Sequence, residues 1–141
     1  MKKFRILDKD FWKQVDDAVN EKPGIYKLFC LNEKGPVPVP RIAGVDNDGI
    51  LYIGKSENGA LRSRLGSLKK SLDTSYTDRS THSAGSRYHF QSDIRKNYPL
   101  EGLFVSILST DSQSEAGKLE KEELKFYQKQ FGELPPFNRQ G

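Results

Sequence analysis

Two short stretches decide the fold: Gly24-Ile25-Tyr26-Lys27-Leu28-Phe29-Cys30-Leu31 and Ile50-Leu51-Tyr52-Ile53-Gly54. Both are rich in β-branched and aromatic residues and have the length of strands. Turn residues bound them, Pro23-Gly24 at the start of the first and Asp48-Gly49 before the second. They read as neighbouring antiparallel strands. In the first, Tyr26, Leu28 and Cys30 share one face, and Ile25, Phe29 and Leu31 the other. Between them, Gly35-Pro36-Val37-Pro38-Val39-Pro40 contains three residues without an N–H, so it cannot donate a regular ladder. It is expected as an edge or a polyproline-like excursion within an insert over 32–48.

Outward from this pair, helices and one more strand follow. Asp8 can cap a helix with Phe11, Trp12, Val15, Ala18 and Val19 on its apolar face, which makes residues 1–22 an N-terminal helical extension. After Gly54 a helix is expected from Asn58 to Leu72, with Leu61, Leu65, Leu68 and Leu72 as its buried stripe and Arg64 at the border. Residues 73–86 are rich in Ser, Thr, Asp and Gly and read as a long polar loop, of the kind that carries function. A helix over Tyr88 to Asn97, ended by Pro99, and a strand over Leu103 to Leu108 come next. Ser112 and Glu115 form a capping box for a final helix that runs to Phe131 and stops at Gly132. The periodicity of that helix puts Ala116, Leu119, Leu124, Tyr127 and Phe131 on the buried face, and Glu120 and Glu123 project from the same face. A carboxylate there sits at the stripe's margin, pairs with a cation such as Arg64, or holds a metal ion.

Composition bounds the alternatives. The chain has 141 residues, with Leu, Ile, Val and Phe supplying about a quarter, enough for one core and one domain over 1–141. No apolar run approaches the ~18 residues of a membrane span. One Cys excludes an internal disulfide, and Cys30 within an apolar strand reads as a small buried hydrophobe in a reducing compartment. Charged residues follow the Met1-Lys2-Lys3-Phe4 start where a signal peptide needs its apolar core, so a cytoplasmic protein is expected. With two His and one Cys in no ligand spacing, a zinc site is not expected. The net charge of +4 says little, but residues 55–99 carry +5 and the rest −1. Aromatic and hydroxyl side chains are mixed into that basic block, the composition of a surface that meets phosphates and bases.

The tripeptides Gly24-Ile25-Tyr26 and Tyr52-Ile53-Gly54, each on an expected strand, followed by Arg64 on a helix, Glu120 on a late helix and Asn138 near the end, resemble the GIY-YIG nucleases. Tyr52-Ile53-Gly54-Lys55-Ser56 with Leu61-Arg62-Ser63-Arg64-Leu65 is similar to the catalytic domain of the bacterial excision-repair incision subunit, with two residues inserted before Leu61. Counting from Tyr52 selects Arg62 as the family's arginine, whereas the Leu-x-x-Arg-Leu pattern selects Arg64; Arg64 is the choice. The resemblance covers residues 23–138. It implies an α/β (α+β) fold with a small three-stranded antiparallel sheet flanked by helices, and it favours Glu120 over Glu123 as the ligand of a single Mg²⁺ or Mn²⁺. The family often has a His or Tyr one turn after the arginine. Leu68 stands there in this chain, so His82, Tyr88 or His89 is the candidate replacement.

These features together imply a metal-dependent DNA endonuclease. Tyr26 or Tyr52 would deprotonate a water, Arg64 would clamp the phosphate, and Glu120 would hold the metal. Gly24, Gly54, Lys55, His82 and Asn138 would support them, while Lys55, Arg62, Arg64, Lys69 and Arg87 would contact duplex or branched DNA. Sequence specificity would come from a protein partner or from DNA structure. The rival expectation is a GIY-YIG-like module that binds nucleic acid or protein without cutting.

Overall fold

The computed structural model describes residues 2–19, 21–76 and 82–138. Residues 77–81, within the expected polar loop, lie outside this set. At the centre is β2 (Gly24–Asn32), antiparallel to β6 (Ile50–Lys55) on one side and to β7 (Leu103–Ser109) on the other. A strand flanked on both edges and covered on both faces is apolar at nearly every position, which is why 25–31 reads as an apolar run broken by Lys27 rather than as an alternation.

The three expected strands are thus the middle of the sheet, and two short ones extend it. β1 (Lys3–Arg5) pairs with β7, and β3 (Gly35–Pro36) continues along β2 beyond β6. The N-terminal extension is therefore part strand and part helix, with α1 spanning Phe11–Val19. The Pro-rich insert is only partly irregular. Its second half folds into a separate hairpin, β4 (Val39–Arg41) with β5 (Gly44–Asp46), in which Gly44 at φ 147° makes the turn.

One face of the sheet carries the main core. Tyr26, Leu28 and Cys30 meet Phe11, Val15 and Val19 of α1 and Leu61, Leu65, Leu68 and Leu72 of α2 (Leu61–Leu72). Each of these four leucines is fully buried and contributes roughly 1.5–3 kcal/mol. The helix begins three residues later than expected because Asn58 (φ 56°) and Gly59 (φ 117°) adopt left-handed backbone that no helix accommodates. The expected helix over 88–97 is two short ones, α3 (Ser83–Tyr88) and α4 (Ser92–Asn97), and α3 begins inside the expected loop. His82 caps α3, with Nδ1 accepting from Ala84 N at 3.1 Å.

On the opposite face lies α5 (Gln113–Phe131), capped by Ser112, whose hydroxyl accepts from Glu115 N, and closed by Gly132 in the left-handed region. Ala116, Leu124 and Tyr127 are buried as expected, but Leu119 and Phe131 are only half-buried. The carboxylate of Glu123 pairs with Lys27 Nζ at 2.9 Å. Lys27 projects from the α5 side of β2, so the ion pair bridges helix and sheet. No described helix is long and apolar enough to cross a membrane.

Candidate active site

The register of β2 against β6 sets Tyr26 opposite Gly54 and Leu28 opposite Tyr52. Tyr26, Tyr52 and Gly54 therefore share the face that looks toward α2, and the two rings lie diagonally with centroids 6.0 Å apart. Gly54 is needed for this arrangement. A Cβ at position 54 would stand 2.5 Å from the Tyr26 ring and 2.7 Å from that of Tyr52. Gly24, opposite Ser109, is equally confined, with a Cβ falling 2.3 Å from the Leu108 carbonyl oxygen. Gly24 and Gly54 are thus places where a neighbouring strand or ring occupies the side-chain volume.

Tyr26 is fully buried, and its hydroxyl lies 2.9 Å from His82 Nε2. The His82 ring also meets Tyr52 edge-on at 5.3 Å. Of His82, Tyr88 and His89, His82 is the one that meets both Tyr26 and Tyr52. Tyr88 donates its hydroxyl to the Tyr98 carbonyl, and His89 Nε2 lies 3.0 Å from the Leu72 carbonyl.

The hydrogen bonds of His82 also fix its tautomer. Ala84 N–H donates to Nδ1, so Nδ1 presents a lone pair and the proton of the neutral ring sits on Nε2. That Nε2–H donates to Tyr26 Oη, leaving the tyrosine's own proton aimed elsewhere. Burial, reinforced by the charge of Arg64, pulls the His82 pKa down to about 3, so the ring stays neutral at physiological pH. The same burial, with Tyr52 and Glu120 nearby, raises the Tyr26 hydroxyl well above an ordinary phenol, while the guanidinium of Arg64 opposes the rise.

His82 has a consequence for stability. Its imidazole binds a proton below about pH 6.5 in the unfolded chain but not in the fold, so stability is fully present above that pH and is lost as pH falls from 6.5 toward 3. Between pH 7 and pH 5 this single group removes up to about 2 kcal/mol. Denaturant titrations at both pH values should show that loss in the wild type, reduced by about this amount in His82→Asn, whose side chain keeps a capping acceptor. Equal pH slopes in the two proteins would contradict it.

Arg64 and Arg62, two residues apart on α2, point in different directions. Arg64 is near Tyr26 and lies 3.9 Å from the carboxylate of Glu57. Arg62 stacks over Trp12 at 4.3 Å and pairs with Asp16 at 2.8 Å, which ties it to α1 and away from the tyrosines. Lys69 departs from the expected phosphate-contacting role. It is buried at 6% exposure, with Nζ donating to the Ile6 carbonyl at 2.6 Å and lying 3.3 Å from Asp73. Holding α2 against the N-terminal segment leaves it no access to a phosphate. Arg87 gives one N–H to the Pro136 carbonyl at 3.2 Å and lines a groove with Arg41 and Phe137.

On the α5 side, Lys55 and Glu120 line a concave region of about 420 Å³ with Gln113, Ser114, Lys118 and Lys121. Burial raises the Glu120 carboxyl, opposed by Lys55 and assisted by Glu57. Among the described residues Glu120 makes no ion pair within 4 Å, and no group of three or more His, Cys, Asp and Glu is placed to hold a metal. A half-desolvated lone carboxylate still suits Mg²⁺ or Mn²⁺, which commonly bind through one or two carboxylates and keep several waters.

Asn138 bonds to the backbone beside Tyr52. Its side-chain amide accepts from Ile53 N at 3.0 Å and donates to Ile53 O at 2.9 Å, continuing the ladder on the open edge of β6. Two further residues, Ser56 and Gln113, carried no expected role. Ser56 Oγ accepts from Gly24 N and donates to Gln113 Oε1 at 2.7 Å, clamping the end of β6, the start of β2 and the first turn of α5 around the candidate site. The only sequence hint was that Ser56 directly follows Lys55. No protein-family model matches the chain, and no curated protein or solved structure is significantly similar to it.

Proposed function

We propose that this chain is a metal-dependent endonuclease that hydrolyses DNA phosphodiester bonds, with Tyr26 as the proton acceptor from the attacking water. The observation that carries the reading is the Tyr26 hydroxyl: a buried phenol oxygen that accepts a hydrogen bond from a neutral histidine of fixed tautomer and faces an arginine. Burial raises this hydroxyl well above an ordinary phenol and Arg64 opposes the rise, so the minority anion that would act as proton acceptor has the guanidinium and the histidine N–H to hold it. Arg64, next to it, offers the planar pair of donors that matches two phosphoryl oxygens. Tyr52 flanks the same centre and, with His82, walls one side of it.

Glu120 is the residue that would hold Mg²⁺ or Mn²⁺, and a bound ion would supply charge stabilisation at the leaving oxygen. Lys55 beside it adds positive charge for a phosphate. One specific observation favours the rival reading of a non-cleaving module: Tyr26 is fully enclosed, as a packed core tyrosine would be.

Incubation with plasmid DNA and Mg²⁺ or Mn²⁺ separates the two. The nuclease reading expects nicking that stops with chelator and falls at least about 100-fold in Glu120→Gln, on the scale of losing a transition-state charge stabiliser. Equal background nicking by wild type and variant, with a salt-sensitive gel shift that survives chelation, would instead establish the binding module.

A further inference from the structure

Phe90 is 85% exposed, directly after α3. It stands at one side of a groove of about 390 Å³ that is also lined by Arg41, Arg87, Ile94, Tyr98 and Phe137. Among the described residues no Asp or Glu lines this groove. Arg41 is neutralised by Glu133 at 3.0 Å, but Arg87 has no carboxylate within 4 Å among the described residues. An exposed aromatic ring, apolar walls and an uncompensated guanidinium together form a stacking platform with a phosphate-attracting edge.

The chain links the groove to the candidate active site through α3. His82, at the start of that helix, touches Tyr26 and Tyr52; Arg87 and Phe90 stand at its end. At a rise of ~1.5 Å per residue, the six residues of α3 between His82 and the groove span about 9 Å. That is a few nucleotides along a strand, given ~3.4 Å per nucleotide in a duplex and more when the strand is extended.

We propose that this groove receives an unpaired nucleobase of the strand held at the candidate catalytic centre, stacked on the Phe90 ring with Arg87 facing an adjoining phosphate. The preferred substrate is then nucleic acid with a single-stranded segment beside the cut, such as a flap or gap, over an unbroken duplex. This rests on the nuclease reading for its placement of the strand. A stacked base fits the lining better than a protein segment does, because among the described residues the groove offers an exposed aromatic ring and a guanidinium without a carboxylate partner.

The test reads binding without cleavage. A flap oligonucleotide carrying 2-aminopurine in its single-stranded arm is titrated with the full chain in chelator, alongside an unbroken duplex and a ribose version of the flap. The wild type and Phe90→Tyr should quench the fluorescence. Phe90→Ala should lose the quench and about tenfold to hundredfold of flap affinity, the scale of one lost base stack, with duplex affinity within twofold of wild type. Because Phe90 is exposed, its thermal midpoint should stay unchanged. Equal quenching by the ribose flap would widen the substrate class to unpaired bases of either sugar.

An unquenched probe with the wild type, or equal flap affinities for wild type and Phe90→Ala, overturns the proposal. So does a Phe90-dependent protein–protein association with no change in nucleic-acid binding. The nuclease reading fails separately. A wild type that quenches but cuts nothing keeps the stacking site on a binding module, whereas a Phe90→Ala protein that cuts flaps as fast as wild type removes the stacking site and leaves the nuclease.

Discussion

Tyr26→Phe should lower the metal-dependent cleavage rate by about 10²–10⁴-fold, the usual range for removing a general base, while leaving DNA affinity within a few-fold of wild type. The ring is enclosed on all sides, so phenylalanine keeps the packing and deletes only the hydroxyl. The deletion strands His82 Nε2–H without its acceptor, at a cost of about 1–3 kcal/mol in stability. Rates must therefore be compared well below the thermal midpoint of the weaker protein. Tyr52→Phe is the necessary companion. Tyr52 is half-buried and touches His82 through its ring face or edge, so loss of its hydroxyl should cost much less than loss of the Tyr26 hydroxyl. If Tyr52→Phe is the more damaging of the two, the proton acceptor has been assigned to the wrong tyrosine.

The pH dependence adds a check on the same group. Burial holds the Tyr26 pKa above that of a free phenol, so below pH 9 the phenolate is a minority form. Its fraction grows about tenfold per pH unit until the pKa is approached, and the cleavage rate should rise with a slope near one between pH 6 and pH 9. His82 should add no inflection to that range, because its pKa of about 3 keeps it neutral throughout. A plateau beginning near pH 6.5, abolished in His82→Asn, would mean that the histidine rather than the tyrosine titrates in the reaction.

Local chemistry made much of the fold legible. The strands at 24–31 and 50–54 are dense in β-branched and aromatic residues, and the last helix carries its own start and stop signals at Ser112 and Gly132. What was not legible depended on contacts distant in sequence. His82 is 56 residues from Tyr26, and no spacing rule connects them. The partner of Glu123 is Lys27, 96 residues away on the central strand, not the arginine that the helix pattern suggested. Lys69 is different, because its burial was there to be read. It lies on the Leu61-Leu65-Leu68-Leu72 stripe, and Asp73 follows at i+4 to pair with it. Counting it among surface cations treated composition as if it fixed exposure. The break between α3 and α4 has no Pro or Gly to mark it. It follows from tertiary anchoring, with His89 Nε2 on the Leu72 carbonyl and Arg95 donating to the His89 carbonyl.

Gly54→Ala is the substitution expected to damage fold and site together. The added methyl would stand 2.5 Å and 2.6 Å from the Cζ and Oη atoms of Tyr26, and 2.7 Å from the Tyr52 ring, closer than atoms of this kind can approach. Neither ring can simply swing away. Tyr26 is enclosed by the core and tied to His82, and Tyr52 packs on both. Relief must come from moving β6 away from β2 or tilting both rings, at about 1–3 kcal/mol of overpacking. For a domain of this size that lowers the thermal midpoint by roughly 2–4 °C per kcal/mol. Activity should fall further than stability, because a displacement of about 1 Å in a reacting group can cost ~10²-fold in rate. Gly66→Ala on α2 is the control. A methyl there meets only Trp12, at an ordinary 3.6 Å, and replaces a helical glycine, so it should stabilise by about 0.4–1 kcal/mol without affecting cleavage. A Gly54→Ala protein that melts with the wild type and cuts at the wild-type rate would show that the close approach of the two tyrosines over Gly54 is not what this glycine is for.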